Sequence, residues 1–273
     1  AAKDGGGILS QSRLKQIKDD PAFAGLRKQI RAKAEKSASL IAYNPAAGDN
    51  VALLPRVSLL SGLEGYLHLM TNYGGAIAWN ALDYHINGNA DSFEHARKAL
   101  LTVSQWKTWT PTWFIAHGIQ TYYVVGVFTE QIAFGYNLIG ASLTPEEREQ
   151  ISSAIWSKSI RPTVQDYYLS NRMPTGSSNH MAHSVGGAIA AWVAIDTYDR
   201  SWRQKHGVDL AALIVAYEDL LRGLFPGDGS EAEPAGYDNF AMEGMSYGAA
   251  ALDGLEIAPQ GIQRMEDSFW WLR

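Results

Sequence analysis

What most limits the possible folds of this chain is the spacing of its apolar residues. They recur every three or four positions through one long segment after another, and no stretch shows the period-two alternation of a half-buried strand. In 57–72, Leu59, Leu60, Leu63, Tyr66, Leu67 and Met70 mark one helical face; in 10–39 the same is done by Leu14, Ile17, Phe23, Leu26, Ile30 and Ala34. Pro21 suits the first turn of a second helix there, where its missing N–H costs nothing. Further helices are predicted over 76–86, from Asp91 as N-cap through Val103, and over 113–139, 144–168, 210–224 and 237–255, with another following His183. Gly74-Gly75 is expected to break or kink the chain. Thr144-Pro145-Glu146-Glu147 offers a cap, a proline at the first helical position and acids near a helix N-terminus. The fold class is therefore all-α, made of antiparallel helical hairpins.

At 273 residues and 46% hydrophobic, the chain can bury the core of one large domain, here 8–273, behind a glycine-rich flexible end at 1–7. The net charge of −5, with no lysine or arginine run longer than two, recommends neither a nucleic-acid surface nor a membrane patch. The absence of cysteine removes disulfides, thiol nucleophiles and Cys-ligated zinc together. No apolar run approaches the roughly 18 residues needed to span a bilayer.

Chemistry concentrates in Gly176-Ser177-Ser178-Asn179-His180-Met181-Ala182-His183. On a helix opening near Ser178, Asn179, His180 and His183 fall within about 100° of arc and can face one cavity. An amide donor beside two imidazoles can hold an anion and move a proton, although Ser178 or Asn179 also suits a plain N-cap. Downstream, Phe225-Pro226-Gly227-Asp228-Gly229-Ser230-Glu231-Ala232-Glu233-Pro234-Ala235-Gly236-Tyr237-Asp238 interrupts two helical segments with an acidic Gly/Pro loop and delivers a tyrosine to the second.

Together the two stretches resemble the heparinase II/III family of polysaccharide lyases. There an Asn-His pair opens one toroid helix and an Asp-Gly loop leads through a Glu to a Tyr, here Asn179-His180, Asp228-Gly229, Glu233 and Tyr237. The resemblance implies an (α/α) toroid and β-elimination on an acidic, uronic-acid-containing polysaccharide without a metal or other cofactor. It also implies a periplasmic or secreted location. Asn179 and His180 would neutralise the C5 carboxylate, Tyr237 would serve as base and acid, and His183 and Glu233 would support the substrate or the loop. The family ordinarily continues into β-sandwich domains, and no strand-rich region precedes Arg273. The expectation is an incomplete toroid, lacking its last helices and the β-sandwich part.

Other residues have commoner uses. Trp106, Trp109, Trp113 and Phe114 precede His117, Tyr122 and Tyr123; such a cluster is usually core, but sugar clefts also present aromatic faces, so Trp109, Trp113 and His117 are candidates for substrate contact. Arg161 and Arg172 can meet substrate carboxylates at flanking subsites. Rival readings are a glycoside hydrolase pairing Asp228 with Glu231 or Glu233, or using Glu243, and a noncatalytic glycan-binding protein. A metal on His180 and His183 with Glu243 or His206 is weaker, because His-x-x-His is a common accident.

Overall fold

The computed structural model describes residues 10–52, 59–169, 179–226 and 237–271, and among them every regular element is helical. The chain opens with α1 (Gln11–Asp19), α2 (Ala24–Ala38) and the single turn α3 (Asp49–Ala52). Then come α4 (Leu59–Asn87), α5 (Ala90–Gln105), α6 (Thr112–Ala116), α7 (Tyr123–Ile139), α8 (Pro145–Ile155) and α9 (Arg161–Leu169). The remainder is α10 (Asn179–Tyr198), α11 (Trp202–Leu224), α12 (Tyr237–Gly254) and α13 (Ile262–Trp271).

The contacts between helices fix their directions. Gly74 of α4 faces Phe128 and Gln131 of α7, and Gly135 farther along α7 faces Ile77, so α4 and α7 run parallel. Gly126 of α7 abuts the His183 backbone and Gly187 of α10 abuts Gly126 and Glu130, so α10 runs the same way. Gly244 of α12 abuts Ala182 and His183, and Gly248 abuts Gly186, so α12 joins the same parallel row. The helices between them run back. Thr129 bonds Ser159 at 2.8 Å while Tyr136 meets Ser152 at 3.3 Å, which sets the α8–α9 segment antiparallel to α7. On the outer side of α4, Asn80 donates to the Ala34 carbonyl and Asn87 to that of Arg27, so α2 is antiparallel too.

The centre of this row is α10, buried on all sides from Met181 to Ile195. Small residues permit it. A Cβ on Gly126 would meet the His183 backbone carbonyl carbon at 2.5 Å, and one on Gly244 would meet the His183 nitrogen at 2.6 Å. The glycines thus let three backbones approach closely, and the starts of α10 and α12 emerge at the same end of the row.

Several boundaries differ from the sequence expectation. Gly74-Gly75 does not break α4; Gly74 faces α7, where the Gln131 carboxamide occupies the space a side chain would fill, and that packing outweighs a propensity cost of about 1 kcal/mol per glycine. The expected helix over 113–139 is two, because Gly118 adopts φ 82 and the Asp166 carboxylate accepts the backbone N–H of Gln120 at 2.8 Å and Thr121 at 2.6 Å. Asn89, not Asp91, caps α5, accepting from the Asp91 N–H. The 144–168 segment opens with the expected capping box of Thr144 and Glu147, then widens into a π-helical turn at Trp156–Ile160 ahead of Pro162, which has no N–H to close a normal turn. The helix expected over 210–224 begins earlier, at Trp202, with a kink at His206.

Candidate functional site

At the start of α10, Asn179 is buried, His180 half-buried and His183 sealed from solvent. The His180 ring stacks on Tyr123 at 4.4 Å between centroids and meets the Tyr122 edge at 5.6 Å. Tyr122 in turn stacks on Phe114 at 4.5 Å, and Phe114 meets Trp113, which stacks on His117 at 4.0 Å. A continuous row of rings therefore leads from His180 to the surface, where Trp113 is 38% exposed and His117 is exposed. Burial pushes the Tyr122 phenol up to about 12, with Tyr123 adding to it.

One turn deeper, His183 Nδ1 lies 2.8 Å from Glu130 Oε1, with each side chain 1% exposed. Burial pushes Glu130 from 4.5 up to about 7; the hydrogen bond and charge of His183 pull it down, and Glu243 of α12 pushes it up. The Phe240 ring closes on His183 at 3.9 Å and meets Tyr123 edge-on at 5.8 Å. Phe240 sits one helical turn after Tyr237, the first residue of α12, so the Tyr237 backbone arrives beside the turn that carries His180. The Tyr237 side chain lies outside what the structure describes, as do Asp228, Glu231, Glu233 and Arg172. Behind Tyr123 and Phe240 a pocket of about 190 Å³ opens between α4 and α7, walled by Leu67, Met70, Val127 and Phe128 with Thr71 and Gln131; its lining residues include no cation to neutralise a carboxylate.

Two expected substrate contacts lie elsewhere. Trp109 is a core residue, 1% exposed, donating Nε1–H to the Val103 carbonyl and packed edge-on against Phe128; it has no face at a rim. Arg161 lies over the Trp156 ring on the return helices, in a cluster with His206 and Asp209, and not with the Asn179 turn. His206 lies beside Trp192, whose indole N–H donates to its carbonyl about three turns along α10 from His180, and that separation removes it as a metal partner for His180 and His183. Among the described residues no three His, Asp or Glu side chains converge to hold a metal ion.

Glu130 was not anticipated from sequence. Its signal was a single carboxylate inside the apolar run Val124 to Phe134, where an unpaired charge is costly enough to demand a partner. Comparison with known proteins found no matching family model and no matching curated protein.

Proposed function

We propose that the chain is a polysaccharide lyase acting on a uronic-acid polymer, on an arc of an (α/α) toroid. The parallel α4, α7, α10 and α12, with α8–α9 returning between α7 and α10 and α2 antiparallel on α4, support the toroid reading. One observation carries the functional reading. The starts of α10 and α12 lie at the same end of the helix row, with Phe240 touching both His183 and the tyrosine stacked on His180.

In this reading Asn179 and His180 hold the C5 carboxylate, so that the carbanion-like charge of the transition state is met by fixed donors where water is scarce. Tyr237 takes the C5 proton and returns one to the leaving O4 oxygen. Trp113 and His117, at the exposed end of the ring row, offer a platform for a neighbouring sugar. Glu233 orders the loop that leads into α12. No helix among the described residues is long and apolar enough to cross a membrane, and the proposed location is periplasmic or secreted.

Elimination leaves a C4–C5 double bond conjugated to the carboxylate, an ultraviolet chromophore that hydrolysis does not create. Wild-type protein is expected to raise ultraviolet absorbance on at least one of alginate, heparan, hyaluronan and glucuronan. Tyr237→Phe and Asn179→Ala should each abolish that rise while keeping helical content and melting near the parent. New reducing ends without the chromophore would favour a hydrolase, and binding with no turnover would favour a glycan-binding protein.

A further inference from the structure

The proposed chemistry leaves a buried ionisable pair beside the site without a task. Glu130 and His183 face each other between α7 and α10, and removing both from water is costly unless every polar atom is satisfied. Here Nδ1 is closed by Glu130, while Nε2 is sealed from solvent and meets no hydrogen-bond partner. Helical side chains lean toward their N-terminus, which carries the His183 ring toward the turn of Asn179 and His180.

We propose that Glu130 is a positioning residue for His183 and that the two act as one proton-carrying unit whose exchanging atom is Nε2. The reaction it serves rests on the lyase reading; the behaviour of the pair does not.

With Glu130 ionised, Nδ1 keeps its hydrogen and donates to Oε1, so Nε2 presents a lone pair. One added proton yields either an imidazolium against a carboxylate or a neutral imidazole accepting from a protonated carboxyl. Both states carry Nε2–H, so every proton the pair gains appears at that one atom, whichever residue formally holds the charge. From α12, Glu243 raises Glu130, and Tyr247 is itself pushed up to about 12 by burial and by these two carboxylates. In the lyase reading one proton leaves C5 and one reaches O4, and the pair is a buried store that can hold a proton between the two events.

The test is a nitrogen-15 NMR titration of the His183 ring in the free wild-type chain and in Glu130→Gln, run beside the pH profile of elimination. Expected at pH 8 are a protonated Nδ1 and a bare Nε2 that gains its proton on acidification. Glu130→Gln should lower that titration, through loss of the facing carboxylate, and move the acid limb of elimination with it. Nε2–H with a bare Nδ1 at pH 8 would overturn the proposal, as would an acid limb that stays put while the ring titration moves. If wild type eliminates nothing, the lyase reading fails; the wild-type ring titration still decides the pair by itself, even where Glu130→Gln does not fold.

Discussion

Two histidine–carboxylate pairs in this molecule use the same groups to different ends. His206 and Asp209 lie 3.3 Å apart on α11, each about a fifth exposed, and Asp209 also accepts the Trp156 indole N–H at 3.0 Å. Glu130 and His183 lie 2.8 Å apart, fully enclosed, with His183 Nε2 left unpaired. The first pair ties return helices together where water can relieve any mismatch. The second holds an unmet hydrogen-bonding atom in a dry interior, where leaving it unpaired is costly. What separates the two pairs is enclosure, about a fifth exposed against sealed, more than the residue types or their spacing.

Removing half of each pair should separate them most sharply. His183→Leu strands Glu130 among α7, α10 and α12, and denaturant unfolding at pH 8 is expected to show a loss of about 3–5 kcal/mol. Asp209→Ala, partly solvated, should cost about 1 kcal/mol or less in the same measurement.

The pH dependence of stability offers a second contrast. Because burial raises Glu130 from 4.5 to about 7, folding takes up a proton there; its contribution is intact below about 4.5 and is lost as pH rises through about 7. Glu130→Gln should flatten that fall in chemical melts taken across this window, and an unchanged slope would show that the carboxyl is not the group responsible.

The close crossing that encloses the inner pair can be tested next. Gly126→Ala should cost about 1–3 kcal/mol in unfolding, because the added methyl meets the His183 backbone and not a flexible side-chain end. The smallest effect is expected at the exposed end of the ring row. Trp113→Ala should leave melting within about 0.5 kcal/mol of the parent while raising KM for an oligosaccharide.

Much of the helical content was legible, because amphipathic spacing and the Thr144 capping box act locally. The errors fell where a distant residue decides a local outcome. Asp166 captures the Gln120 and Thr121 amides and splits what reads as one helix; the fit of Gln131 over Gly74 keeps whole what reads as two. The Asn179, His180 and His183 arc was readable because it lies within one helix. Glu130 was not, since its partner lies on another helix and only packing brings the two together. Trp109 and Trp113, four residues apart, read alike in the sequence, and the turn between them sends one into the core and the other to the surface.

The absence of cysteine makes the central claim directly measurable. If the starts of α10 and α12 form one site, His180→Cys with Tyr237→Cys should be joined rapidly by a dithiol-reactive linker of about 10 Å, the spacing of neighbouring helices. Arg161→Cys with Tyr237→Cys should not. Cross-linking of the second pair but not the first would contradict the account.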